Sequence, residues 1–182
     1  MTRREALLRQ ARSDFSVYEY LTSLDRDAVP ECHPLHFFQM CTEKLAKAAF
    51  DALGMTTDPY SHIAFSHVPS HLARRDVARA LGFRSFHAYR DFLRRAAPLF
   101  RRVDELNPAV GQQMPAGGAG DGPNVEYPWE ARNPDGYPTW IAPSEFNFRL
   151  LIQMERSGDA AKMLDFVRQL LDRFEAVFPA TR

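Results

Sequence analysis

Residues 34–54 read PLHFFQMCTEKLAKAAFDALG and carry the clearest helical pattern of the chain. The apolar side chains recur every three or four residues, at Leu35, Phe38, Cys41 or Thr42, Leu45, Ala48 or Ala49, and Leu53. This is the period of an amphipathic α-helix. Pro34 suits the first helical turn, where its missing N–H would have no partner in any case, and Gly54 stands where a left-handed C-terminal cap is needed. The stretch therefore predicts one long helix.

A second helix is predicted upstream of this stretch, from Arg3 to Leu24. Its apolar positions also step by three or four residues, at Leu7, Ala11, Phe15, Tyr18, Leu21 and Leu24. Residues 25–33 are polar and contain Pro30, so they form a junction between the two helices.

Downstream, the pattern predicts a short helix over residues 61–68, a further helix capped by Ser70 and stopped by Gly82, and a long helix starting at Ser85. Pro98 is expected to kink or divide the long helix. Ser144 is predicted to cap another helix.

The last helix carries an apolar seam with steps of four and three, which is typical of helices that pack like a coiled coil. The seam consists of Met163, Val167, Leu170, Phe174 and Val177.

Residues 107–143 differ in kind, because 13 of these 37 positions are proline or glycine. No helix persists through such a composition. Residues 112–123 are expected to be flexible, and the aromatic segments 125–129 and 137–141 are expected to be ordered against the helical body. This region is interpreted as a loop insertion.

The chain has 182 residues, of which 45% are hydrophobic and 25% charged, so one globular domain over residues 1–182 is expected. With no convincing strand alternation, the predicted architecture is an all-α bundle of five to seven helices. No apolar run is long enough for a membrane span. There is no sign of an export signal, and two cysteines make no disulfide framework, so a cytoplasmic location is expected.

The net charge is zero, but residues 74–102 hold nine arginines and only two acidic residues. On a helix, Arg90, Arg94 and Arg101 share one side. Clustered arginines neutralise phosphates and release counterions, which favours RNA as a partner. The alternatives are an acidic protein partner and a merely solubilising surface.

Gln39, Glu43 and Lys47 are spaced one turn apart and form a polar ridge beside the apolar stripe of the central stretch. Glu43 and Lys47 stand in the favourable order for an i,i+4 ion pair. The ridge is interpreted either as the solvated face of a bundle helix or as the lining of a ligand groove.

Three segments together resemble the HEPN family, the higher eukaryotes and prokaryotes nucleotide-binding domain. They are Ser13-Asp14-Phe15, the stretch from Leu35 to Ala48 with its Gln-x-x-x-Glu-Lys-x-x-Lys-Ala pattern, and Ser61-His62. The resemblance implies a HEPN-like helical bundle, a function related to RNA or nucleotides, and a homodimer whose helices face each other across a two-fold axis. The seam of the last helix is compatible with such a dimer.

The resemblance also implies a motif for metal-independent RNA cleavage: an arginine, a polar residue after it, and a histidine a few positions on. Arg26, Asp27 and His33 match it. His33 would act as general base or acid at a ribose 2′-hydroxyl, Arg26 would hold the phosphate, and Asp27 would orient either side chain. The alternative is an ordinary polar junction in which Arg26 pairs with a neighbouring carboxylate.

A weaker match with incorrect spacing is formed by Arg84, His87 and Tyr89. The histidine and cysteine spacings do not support a metal site, and no cofactor motif is present. The function predicted from the sequence is an RNA- or nucleotide-binding protein with metal-independent endoribonuclease activity. The alternative is a noncatalytic helical module that binds another protein.

Overall fold

Helices dominate the computed structural model, which describes residues 1–25, 28–55, 65–106, 125–126, 129–132, 134–150, 156 and 158–179. The α-helices are α1 (Arg3–Ser23), α2 (Cys32–Ala52), α3 (Val68–Leu72), α4 (Arg75–Ala80), α5 (Phe86–Asp104), α6 (Gly158–Asp172) and α7 (Phe174–Val177). Short 3₁₀ turns occupy Phe65–His67 and Pro143–Glu145. The mostly helical fold confirms the predicted class.

The central helix is α2, which buries 14 of its 21 residues. A surface helix buries only one apolar stripe, so this degree of burial places α2 inside the bundle. Helix α1 packs along it, and the rings of Tyr18 and Phe38 lie 4.9 Å apart across that contact. The remaining exposed or half-buried strip of α2 includes His33, His36, Met40 and Lys44.

Helix α1 starts and ends within a residue of its prediction. A capping box fixes its start: the Glu5 N–H donates to the Thr2 hydroxyl (3.2 Å), and the Thr2 N–H donates to the Glu5 carboxylate (2.7 Å). Leu8, Ala11 and Phe15 then face the core.

Helix α5 begins where the sequence predicts, because the Ser85 hydroxyl accepts a hydrogen bond from the N–H of Ala88 (3.1 Å). Pro98 lies inside this helix and does not divide it. Three hydrogen bonds fix its inner face. The Tyr89 hydroxyl donates to the carbonyl of Leu72 (3.0 Å), and the Asp104 carboxylate accepts from the backbone N–H groups of the Phe65–His67 turn (2.9 and 3.1 Å).

Two of the predicted caps are wrong. Ser70 lies inside α3, where its hydroxyl donates to the His67 carbonyl (2.7 Å) instead of starting a helix. Ser144 lies inside the Pro143–Glu145 turn. A serine hydroxyl also satisfies a nearby carbonyl, so it does not by itself specify a helix start.

The seam of the last helix is buried inside this single chain, with Met163, Val167 and Leu170 fully covered. The helix breaks at Arg173, whose guanidinium donates to the carbonyl of Ala80 (2.7 Å). Since the chain's own core covers the seam, it offers no surface for a second copy.

The insertion contains a β-hairpin that the sequence analysis did not predict. Strand β1 (Trp129–Arg132) pairs antiparallel with β2 (Pro138–Ile141). Tyr137 and Trp140 are about 70% exposed, whereas Ile141 packs against the core, so only the end of segment 137–141 lies against the helical body as expected. Val125 is buried, and its N–H donates to the Leu106 carbonyl (2.9 Å). The segment 112–123 lies outside the described residues.

In the part of the chain that the structure describes, no helix combines the length and the apolar character that crossing a bilayer requires.

Gly54 provides a test of the C-terminal cap of α2. Its φ is +71°, and the N–H of Met55 donates to the Phe50 carbonyl (2.9 Å), as in a Schellman motif. An added Cβ would meet no atom within 4 Å, so only backbone strain opposes it. We expect Gly54→Ala to lower the free energy of unfolding by about 1 kcal/mol in urea denaturation.

Gly158 is the matched control, because it starts α6 without a positive φ and also has open space around an added Cβ. Gly158→Ala should leave stability unchanged or raise it slightly. Equal losses for the two variants would contradict the strained-cap explanation.

Candidate functional site

The outer surface of α5 carries the arginines singled out from the sequence. Arg90, Arg94 and Arg101 are all exposed, and we call these three residues the arginine face. The opposite side of the helix is buried, with Tyr89, Phe92, Ala96, Phe100 and Val103 in the core. Core packing therefore fixes which way the arginines point.

Most of this positive charge is not neutralised by the protein itself. Among the described residues, Arg90 and Arg101 have no carboxylate within ion-pair distance. Arg94 does have one, since its guanidinium lies 3.2 Å from the Asp91 carboxylate. An approaching polyanion meets unpaired guanidinium groups on a rigid helix.

The first turns of α5 form a surface cleft of about 410 Å³, lined by His87, Arg90, Asp91 and Arg94. Asp91 holds two of the other three side chains. One of its carboxylate oxygens lies 3.2 Å from His87 Nε2, and the other accepts from the Arg94 guanidinium at 3.2 Å.

Arg90 is held in a different way, over the ring of Phe86. Its guanidinium carbon lies 6.0 Å from the ring centroid, and that of Arg75, from α4, lies 5.6 Å from the same centroid. Both distances fall within the range of cation–π attraction. The Phe86 ring therefore attracts both Arg90 and Arg75, and this contact leaves the N–H donors of the two guanidinium groups available.

Gln39, Glu43 and Lys47 form a connected but buried row on α2. Lys47 Nζ lies 2.7 Å from a Glu43 carboxylate oxygen, and the Gln39 amide donates to the other oxygen (3.3 Å). All three residues are at most 6% exposed, so the interpretation as a solvated face is wrong. The side-chain oxygen of Gln39, Oε1, is buried and accepts no hydrogen bond from the described residues. The three side chains have almost no surface open to a ligand in the part of the chain that the structure describes.

The partly exposed strip of α2 holds another polar group around His36. Lys44 Nζ lies 3.1 Å from Asp14 Oδ2, although its direction falls outside hydrogen-bond geometry, and Asp14 Oδ1 accepts from Gln10 (2.8 Å). Burial lowers the pKa of His36 below its ordinary value of 6.5, opposed in part by the charge of Glu126. His36 is therefore largely neutral near pH 7.

The catalytic set expected from the resemblance is only partly within the described chain. His33 is exposed in the first turn of α2, and its N–H donates to the Pro30 carbonyl (3.1 Å). Arg26 and Asp27 lie outside the described residues. In the weaker match, Arg84 and His87 are exposed, but Tyr89 is fully buried and its hydroxyl is bonded inside the core. That match is not a site, because its three side chains do not share one surface.

Within the described ranges, no cluster of three or more histidine, cysteine or acidic side chains is arranged to hold a metal ion. Burial raises the pKa of the thiols of Cys32 and Cys41. Both thiols are therefore protonated at neutral pH and poor nucleophiles.

Comparison with family models, with curated proteins and with solved structures finds no match for this chain. The HEPN resemblance consequently remains a prediction, and the function must be argued from the geometry.

Two features of the site were missed from the sequence, namely the bridging role of Asp91 and the stacking of Arg75 and Arg90 on Phe86. The first had a signal: Asp91 lies four residues after His87 and three before Arg94, which places all three on one helix surface. The position of Arg90 also had a signal, because Arg90 lies four residues after Phe86 on the same helix, whereas that of Arg75 had none, because Arg75 and Phe86 belong to different helices.

The buried Glu43–Lys47 pair supports a test of its structural role by a double-mutant cycle. Breaking a buried ion pair from one side is costly, whereas removing both charges costs less. We expect the coupling between Glu43→Gln and Lys47→Met to exceed about 1 kcal/mol in chemical denaturation.

The exposed pair Asp165–Arg168 has a similar contact distance of 3.0 Å and provides the matched control. Its coupling should fall within about 0.2–1 kcal/mol. A coupling no larger for the buried pair than for the exposed one would contradict a structural role for the Glu43–Lys47 pair.

Proposed function

We propose that the protein binds RNA through the arginine face of α5. The observation that carries this proposal is the exposure of Arg90, Arg94 and Arg101 along one rigid helix, two of them without an acidic partner among the described residues. The HEPN resemblance independently favours RNA or a nucleotide.

The physical basis is neutralisation of phosphates. Each arginine that pairs with a phosphate releases condensed counterions, so affinity falls as salt rises. Three contacts to a single strand give a slope of about −2 in a plot of log K against log salt. Guanidinium groups also form bidentate bonds to phosphate oxygens, which suits arginine to this task.

We expect the triple variant Arg90→Glu, Arg94→Glu, Arg101→Glu to lose RNA binding in fluorescence anisotropy at low salt. Its melting temperature should change little, because all three side chains are exposed. The variants with a single Arg→Glu change should each weaken binding and flatten the salt slope.

Arg9→Glu is the charge-matched control for each single Arg→Glu variant, because Arg9 is exposed on α1, a different helix from the arginine face, and has no ion pair among the described residues. It should bind RNA almost as well as the wild type. Equal losses in this control and in the single variants would mean that only total charge matters, which contradicts a defined face.

A noncatalytic module that binds another protein is the alternative function. The exposed Tyr137 and Trp140 of the β-hairpin favour it, since aromatic side chains are enriched in protein interfaces. If pure RNA does not bind while a protein partner is captured through the hairpin, this alternative replaces the RNA proposal.

Metal-independent endoribonuclease activity is a second candidate function, and the exposure of His33 at the start of α2 favours it. In this proposal His33 moves a proton at the ribose 2′-hydroxyl, Arg26 stabilises charge on the phosphate, and Asp27 orients one of the two. The 2′-oxygen attacks the neighbouring phosphorus and the 5′-oxygen leaves, which yields a 2′,3′-cyclic phosphate.

We expect His33→Ala to slow RNA cleavage by about 10²- to 10⁴-fold, the contribution of a positioned acid or base. Arg26→Ala should slow it as well, and a chelator should have no effect. Cleavage is followed on labelled RNA, with mass spectrometry of the product ends. Intact RNA with the wild type, or equal rates for wild type and His33→Ala, would exclude this activity.

A homodimer also belongs to the proposal, because the HEPN resemblance implies one. Since the seam of the last helix lies inside the core, such a dimer must use another surface. The mass of the protein in solution shows whether it is a monomer or a dimer.

A further inference from the structure

We propose that the cleft of His87, Arg90, Asp91 and Arg94 is a subsite for the terminal phosphate of an RNA strand. This inference rests on the proposed function of RNA binding. It adds a preference for strands that end in a 5′-phosphomonoester over strands that end in a 5′-hydroxyl.

The cleft is an open depression of about 410 Å³ between side chains of one helix, whereas most of the arginine face is convex helix surface. A backbone phosphodiester continues on both sides and suits a convex surface. A strand end has one free side and can enter a cleft.

Several hydrogen-bond donors surround the cleft. Arg90 and Arg94 each present a planar set of N–H groups, and His87 adds a third side chain on the same wall. A phosphomonoester has three terminal oxygens, so it can engage all three side chains, whereas a diester has two such oxygens.

The charge of the cleft also favours a phosphomonoester. A phosphomonoester carries about −1.5 to −2 near pH 7, whereas a diester carries −1. Arg90, Arg94 and Asp91 together give the cleft a net charge of +1 before His87 is counted. The extra negative charge of the monoester therefore gains additional attraction from the arginines.

Asp91 opposes the ligand directly. The Asp91 carboxylate binds His87 and Arg94, which are the donors that a phosphate would need, so the phosphate must displace the carboxylate from them. The side chains of His87 and Arg94 are 88% and 79% exposed, and both are free to turn toward a ligand. Asp91 thus acts as an internal competitor that sets the affinity of the subsite.

The test compares one single-stranded RNA, labelled at its 3′ end, with a 5′-phosphate and with a 5′-hydroxyl. We expect the wild type to bind the phosphorylated strand about three- to tenfold more tightly, the effect of one further exposed charge facing two arginines. Arg94→Ala should remove most of this ratio. Asp91→Asn, which keeps the shape and removes the competing charge, should raise it.

Arg101→Ala is the matched control, because Arg101 lies on the same face but outside the cleft. It should weaken both strands equally and leave their ratio unchanged. Melting temperatures verify that each variant is folded.

The outcomes separate this inference from the proposed function. Salt-sensitive binding of both strands with equal affinity overturns the subsite and keeps RNA binding. Binding of neither strand overturns both. Tighter binding of a phosphoserine peptide than of the phosphorylated RNA also overturns the subsite as an RNA-end site.

Discussion

The buried ion pair between Glu43 and Lys47 constrains the structure around the central helix. Two charges removed from water need a close partner, and at 2.7 Å this pair supplies one within a single helix. The helices packed around α2 must then enclose the pair without forcing its charges apart. Rotating α2 about its axis by one residue would not change the distance between Glu43 and Lys47, but it would turn both side chains and Gln39 out of their buried positions. The burial of the pair therefore goes together with one orientation of the helix toward its neighbours.

The proposed RNA surface depends on the inner side of α5 in the same way. The Tyr89 hydroxyl ties the first half of α5 to α3, and Asp104 ties its end to the Phe65–His67 turn. The Tyr89 hydroxyl is fully buried, so losing its bond would leave it unpaired at a cost of about 1–3 kcal/mol. These internal bonds hold the arginine face in one orientation even though its own side chains make few contacts.

The sequence predicted the positions of the helices well and the burial of individual side chains poorly. Period and caps placed α1, the end of α2 at Gly54 and the start of α5 at Ser85, because those signals are local. The burial of Gln39 is not local: a polar residue beside an apolar stripe reads as exposed until the helices that cover it are known. Ser70 failed as a predicted cap because its hydroxyl bonds a carbonyl equally well inside a helix, and Ser144 failed because it lies inside a 3₁₀ turn. The hairpin was missed because its strands are only four residues long and are flanked by proline and glycine.

All nine basic residues between positions 74 and 102 are arginine, and this choice bears on the function. A surface that only needs charge for solubility accepts lysine equally well. Arginine adds a planar group that lies over an aromatic ring within cation–π distance and still presents its donors, as Arg75 and Arg90 do over Phe86. This contact favours one position of the guanidinium before a ligand arrives, so less side-chain entropy is lost when a phosphate binds. A surface on which every lysine or arginine position is arginine therefore fits recognition of phosphate better than it fits solubility alone.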